Sequence, residues 1–396
     1  MKRLSFLLLA IIALLLAACS GDPAIDLTPP EEESGAIFES VSDSITRSGP
    51  DFVAETMGNE HLAMLVSLVL PKPLAEVRVD AIRYYTNDPA EKKILASGIV
   101  VYPVTGEIRG VILAAHGTIG ASREAPSEKM NDWMSLLALA GYMVVSPDFI
   151  GYGVSKELVH PYLHAKLTAS ASIDMLLAVR EYMERRGTPI QTPSISVIGY
   201  SQGGAAALAI QRLAEEKYAE EIDVIGVTAG GGPYNLSFFF EQMKRGNFMP
   251  SVFVPMTILG LNYGDNLGLN MANFFIDPLL SGYKNWIVSK DFTIGEISDR
   301  IGTNFLAPAL FSDQPNADVQ KLYESLADND LTTGWTPRAP IRLIHGYMDT
   351  TVPISCAYQA YNTFTQRGCA VELRIMSSDH TGTILLFVID ILEQFT

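Results

Sequence analysis

Gly199, Tyr200, Ser201, Gln202 and Gly203 set a serine between two glycines, directly after the apolar run Ile195 to Ile198 and directly before an alanine-rich stretch from Ala205. Small residues at 199 and 203 let neighbouring backbone pass close to a sharp strand-to-helix turn. Such a turn holds the serine above a sheet edge, with the positive end of the helix beneath it. A serine hydroxyl attacks poorly until a base removes its proton, so a histidine is required. Of His61, His116, His160, His164, His345 and His380, only His380 follows the last β-rich run (VELRIMSSDH) and precedes the last helical stretch. The imidazole in turn needs an orienting acid, and Asp349 ends the preceding run IRLIHGYMD. Asp379 competes, but a residue adjacent to the histidine points elsewhere in an extended loop, so Asp349 is the expected partner.

An oxyanion forming at an attacked carbonyl needs donors already in place. The expected pair is the backbone N–H of Gln202, after the nucleophile, and that of Thr118, in the loop after the third β-rich run. His116 is expected to brace that loop rather than to act as a base. Asp148, ending the fourth run in SPDFIGYG, is expected to hold loops together, and His345 is expected to be a satisfied core histidine. His160 and His164 flank Tyr162 with no further ligand at metal spacing, so neither a metal nor an organic cofactor is expected.

These residues must be carried by ordered elements. Runs at 76–85, 93–103, 110–117, 142–149, 194–201, 224–231, 341–349 and 371–377 are rich in β-branched and apolar residues. Helical patterns lie between them at 127–140, 164–186, 202–219, 353–367 and 381–395. Alternation of this kind implies right-handed crossovers and a mostly parallel sheet, here of eight strands with an antiparallel start. Residues 76–232 and 338–396 make the core. From 233 to 337 the alternation stops, and a loop of that length needs structure of its own, so a helical cap is expected between the sixth and seventh strands. Ten of the 17 phenylalanines fall between Phe238 and Phe311. Phe238, Phe239, Phe240 and Phe253 are the expected substrate-pocket residues. Residues 36–75 read as a helical extension.

Residues 1–18 have a basic start (Lys2, Arg3), an apolar stretch from Leu4 to Leu16, and small residues before Cys19, the features of a cleaved signal. The sequence Leu16, Ala17, Ala18, Cys19 resembles the bacterial lipobox. It implies lipidation of Cys19 and, with Ser20 following, an outer-membrane address. Residues 19–35 are rich in Pro, Glu, Asp and Ser and read as a flexible tether. Losing residues 1–18 takes the formal charge from −16 to −18. A surface that acidic, with no run of Lys and Arg, excludes nucleic acid as a partner. Cys356 and Cys369 lie at opposite ends of one expected helix, about 18–20 Å apart, too far for a disulfide.

Together AHGT, PDFIGYG with HPYL downstream, GYSQGG, AGGGPYNL, HGYMDTTVP and a final DHTG resemble the secretory-lipase branch of the α/β hydrolases, over roughly residues 95–395. The resemblance implies hydrolysis of carboxylic esters under a helical lid, with Ser201, Asp349 and His380 as nucleophile, acid and base. The ester is a small molecule or a lipid. A cap-bearing aminopeptidase on the same fold is the nearest alternative, and a binding lipoprotein that has lost activity is the alternative of a different class.

Overall fold

The computed structural model describes residues 35–190 and 192–396. The signal segment, the expected lipidation site Cys19 and nearly all of the tether lie outside the described residues. Among the described residues no helix is long and apolar enough to cross a membrane.

Among the described residues nine strands form one sheet: β1 (Phe38–Arg47), β2 (Val77–Asn87), β3 (Lys93–Pro103), β4 (Val111–Ala115), β5 (Met143–Pro147), β6 (Ser194–Tyr200), β7 (Asp223–Gly230), β8 (Ile341–Gly346) and β9 (Val371–Met376). Their order is β1-β2-β3-β5-β4-β6-β7-β8-β9. β1, β2, β3 and β5 pair antiparallel, and every pairing beyond β5 is parallel. The eight expected runs became β2 to β9. β1 is the departure, because residues 36–75 do not form helix throughout. Ser40, Ser42 and Ser44 alternate with Val41, Asp43 and Ile45, a two-residue period in poor helix formers that suits an edge strand. Helix begins only after Ser48, whose hydroxyl accepts from the Asp51 N–H, and gives α1 (Gly49–Met57) and α2 (Glu60–Val69).

β4 and β5 are buried along their whole length, as strands covered on both faces must be. One face carries α3 (Ala165–Arg185) and α4 (Gln202–Lys217). The other carries α1, α2 and a 3-10 run, Trp133–Ala140. The helix expected over 127–140 is interrupted. A short helix, Pro126–Lys129, ends at Met130 in the left-handed region (φ 54°), and the chain restarts at Asp132, whose Oδ1 accepts from the Met134 N–H at 2.8 Å. Aspartate is a better cap than a mid-helix residue, and here it breaks the pattern.

Between β7 and β8 the chain forms α5 (Leu236–Lys244), α6 (Phe253–Gly264), α7 (Ile294–Ile301) and α8 (Ala317–Asp328), joined by loops and shorter helical pieces, among them Leu279–Tyr283 and the π-helical Lys284–Val288. This insert has its own apolar cluster. It is fastened to the sheet domain where Ser122 N–H donates to the Lys290 carbonyl (2.8 Å) and where Arg123 Nη1 donates to the Asp291 carbonyl (2.6 Å). Lys290 donates in turn to the Leu158 carbonyl, and burial pushes its ammonium down to about 8. After β8 come α9 (Ser355–Gln366), which packs with α3 and α4, and after β9 α10 (His380–Phe395), which packs with α1 and α2. Cys356 and Cys369 are both free, at the start of α9 and just past its end.

The closest packing in the sheet domain lies under the β6–α4 turn. A Cβ placed on Gly203 would sit 1.9 Å from the Ala115 carbonyl oxygen, against backbone that cannot yield. Gly203→Ala is expected to cost roughly 3–5 kcal/mol or to prevent folding. Gly246→Ala, at φ 75° in open space, is expected to cost only about 1–2 kcal/mol. Denaturant titration of the two variants measures the difference.

Candidate active site

Ser201 stands at φ 59° and ψ −120°, a conformation that costs a non-glycine residue about 1–3 kcal/mol and persists only where its surroundings impose it. Here the Ser201 N–H donates to the Gly230 carbonyl at 2.7 Å, and its own carbonyl accepts from Gly204 and Ala205 at 2.9 and 3.2 Å. A Cβ at Gly199 would lie 2.0 Å from the Gly203 carbonyl oxygen, so both glycines of the motif are sterically required. α4 begins at the next residue and directs its positive end at the serine.

His380 opens α10 and Asp349 follows β8, and the sheet brings both to the β6 edge. Ser201 Oγ donates to His380 Nε2 at 3.0 Å, and His380 Nδ1 donates to Asp349 Oδ2 at 2.6 Å. Asp349 is buried, and its Oδ1 accepts from the N–H groups of Thr351 (2.9 Å) and Val352 (2.8 Å). Behind it, His345 Nε2 lies 2.8 Å from the Val352 carbonyl and donates to it. Burial lowers the pKa of His345, keeping it neutral with that single proton. Tyr200 fixes His380 from the other side, donating its hydroxyl to the His380 carbonyl at 2.7 Å. Asp379, the competing acid, is occupied as the cap of α10, with Oδ1 accepting from the Gly382 N–H at 2.7 Å.

Among the described residues the backbone N–H groups of Thr118 and Gln202 have no acceptor, so both are free to meet a developing oxyanion. Thr118 shares a hydrogen bond of 2.7 Å with the Tyr162 hydroxyl. Glu124 shapes the loop, its Oε2 accepting from Gly120 and Ala121 at 3.1 and 2.9 Å. His116 packs on Phe149 with ring centroids 4.3 Å apart and lies 3.1 Å from the Asp148 carbonyl. Asp148 accepts from Ser97 Oγ (2.6 Å) and from the Ser127 N–H (2.8 Å), tying the loop after β5 to β3 and to the short helix Pro126–Lys129. His164 caps α3 and meets Asp265 at 3.0 Å.

A cavity of about 310 Å³ opens over Ser201 and His380, lined by Thr118, Ile119, Trp133, Phe253 and Ile294 among others. Of the four phenylalanines expected to line it, only Phe253 does. Phe239 and Phe240 are buried in the insert's own core, and Phe238 packs against the same cluster. α5 leaves β7 with its aromatic face turned into the insert, because the insert must bury apolar surface of its own before it can cover anything else.

One contact escaped the sequence reading, because residues 42 positions apart carry no spacing signal. Gln202 donates its side-chain amide to His160 Nε2 at 2.7 Å, while His160 Nδ1 donates to the Ile150 carbonyl at 2.7 Å. The residue that bears the free N–H is thereby clamped to the loop after β5. Burial pushes the His160 pKa down to about 3. An unfolded histidine titrates near 6.5, so between roughly pH 6.5 and 3 the unfolded chain binds a proton that the folded one refuses. Stability from this group is therefore full above about 6.5 and is lost as the pH falls through that window. His160→Gln, which keeps an acceptor and removes the titration, is expected to show a shallower fall of Tm over that range than the parent. His160→Ala is expected to lower kcat about tenfold, measured at neutral pH.

A family model described as secretory lipase matches residues 128–264. A secreted triacylglycerol lipase of Malassezia restricta is 23% identical over 257 residues, which cover 62% of this chain and 51% of the relative. Another, of Malassezia globosa, is 27% identical over 201 residues, 47% of this chain and 41% of the relative. The chain thus matches about half the length of these curated relatives. Among solved structures, the rice cell wall degrading esterase LipA of Xanthomonas oryzae superposes with a TM-score of 0.75 at 24% identity, over 89% of this chain and 97% of that one. A putative hydrolase of Legionella pneumophila superposes at 0.73 with 23% identity, over 90% and 98%. With a largely parallel sheet, a serine on the turn after β6 and these matches, the chain has the α/β-hydrolase fold and resembles the secretory lipases.

Proposed function

We propose that this protein hydrolyses carboxylic esters through an acyl-enzyme. The observation that carries the reading is the unbroken relay from Ser201 Oγ through His380 to buried Asp349. In this mechanism Ser201 attacks the ester carbonyl as His380 Nε2 takes its proton. Asp349 stabilises the resulting imidazolium, and the N–H groups of Thr118 and Gln202 hold the oxyanion. His380 then returns the proton to the departing alcohol and activates water to release the acid. These steps use only groups of this chain.

The insert serves in this reading as a cap over the site, and Ile119, Trp133, Phe253 and Ile294 give the cavity an apolar portion for the acyl chain. The lipobox-like segment at Cys19 supports an enzyme exported from the cytoplasm and held by lipid at a bacterial outer membrane. Several acyl chains would be needed for lasting attachment, since one alone binds only marginally.

Ser201→Ala is expected to leave a folded protein with turnover reduced at least about a thousandfold. His380→Ala should lose about as much, and the double variant should be no worse, because members of such a relay act as a unit. Across esters of graded acyl length, kcat/KM should rise from acetyl to longer chains. About 0.8 kcal/mol per buried methylene permits up to roughly fiftyfold for three carbons. Substantial activity in either single variant would remove Ser201 or His380 from these roles. Faster turnover of aminoacyl anilides than of esters would favour a peptidase.

A further inference from the structure

The cavity over Ser201 is not apolar throughout. The break in the helix expected over 127–140 turns Lys129, Asn131 and Asp132 toward it, and all three line it together with Thr56. Asp132 is only 7% exposed. Its Oδ1 is spent on the Met134 N–H, while Oδ2 has no donor among the described residues. The Asn131 side chain likewise has no hydrogen-bond partner among the described residues and is half-buried. Asp132 lines the cavity, so Oδ2 takes its donors from whatever fills that space, and a substrate hydroxyl there would replace water.

Resting on the ester hydrolase reading above, we infer that residues 129–132 form a subsite for the alcohol portion of the substrate. The substrate is accordingly an ester of a polyhydroxy alcohol, with a hydroxyl near the ester donating to Asp132 Oδ2. The same hydroxyl, or its neighbour, accepts from the Asn131 amide or the Lys129 ammonium. A hydroxyl suits this mixed set because it both donates and accepts. An ammonium does not, since Lys129 shares the wall and burial raises the Asp132 pKa, disfavouring the charge an ammonium would need. The hydroxyls belong to the alcohol, because the acyl chain has the apolar residues of the same cavity to occupy. Glycerol and sugar esters present this chemistry alike.

The test compares isosteric esters of one acid. The purified protein is assayed on 1-butanoylglycerol against propyl butanoate, and on methyl 6-O-butanoylglucoside against cyclohexylmethyl butanoate. The hydroxylated member of at least one pair should have the higher kcat/KM by about tenfold, equivalent to ~1.4 kcal/mol. The pair that shows it identifies glycerol or sugar as the alcohol. Asp132→Ser keeps a cap for Met134 and deletes Oδ2, and it should cut that preference about tenfold. Asp132→Asn, which preserves shape, should cut it in the same direction. If the parent protein turns over the alkyl esters without preferring either hydroxylated partner, the subsite is wrong and the hydrolase reading survives. Equal loss on both members of a pair in both variants would make Asp132 merely structural and overturn the inference. Absence of turnover on every ester would overturn the hydrolase reading and this inference together.

Discussion

Three carbonyl oxygens crowd the turn between β6 and α4, and the rest of the site is arranged around that crowding. Gly203 lies against the oxygen of Ala115, Gly199 against that of Gly203, and Gly204 against that of Gly230. Each would clash with a methyl group. With side chains excluded, β4, β6 and β7 can approach α4 closely enough to force Ser201 into its positive-φ conformation. The hydroxyl then projects from the sheet edge instead of into the core. The same approach places Thr118, three residues after Ala115, on the wall of the cavity that also holds Ser201, so the serine and the loop proposed to hold the oxyanion share one steric origin.

Around this turn, burial decides which groups titrate and which only hold shape. His345 and His160 are kept neutral by desolvation, the first donating one directed hydrogen bond and the second donating one and accepting another. Asp349 is buried as well, but two backbone N–H groups and His380 compensate its charge. His380 is braced by Tyr200 on one side and Asp349 on the other, and its Nε2 is left for the serine. A network of this kind limits the imidazole to one orientation.

The parts legible in the sequence were those with a strong local period or a fixed order along the chain. Eight apolar runs bounded by turn residues became β2 to β9, and the expected partners Ser201, Asp349 and His380 came into contact because β8 and β9 are neighbours and only β7 separates them from β6. The parts that were not legible depended on competition or on long-range contact. β1 was obscured because 36–47 is short and polar, although its alternating serines carried the two-residue period. The interruption at Met130 to Asp132 was hidden inside an otherwise helical pattern, since a cap and a mid-helix aspartate look alike until packing chooses. The aromatic cluster at 238–240 was identifiable as buried, but the sequence could not say whether the insert's interior or the cavity would take it. The signal and lipidation features of residues 1–19 lie outside the described residues.

The insert is fastened beside the loop 117–124, so neither piece can be rebuilt without the other. Ser122 and Arg123 are bound to Lys290 and Asp291, Arg123 also pairs with Glu296, and Gly120 leaves no room beneath the backbone of Phe292 to Ile294. The loop carrying Thr118 is therefore moulded by two pieces of chain that lie some 170 residues apart. Grafting a foreign insert between β7 and β8 would change more than the roof of the cavity, because residues 290–296 act as the outer half of a mould for the loop. A working chimera would have to exchange 117–124 along with the insert, or keep 290–296 as a native seam between donor and host.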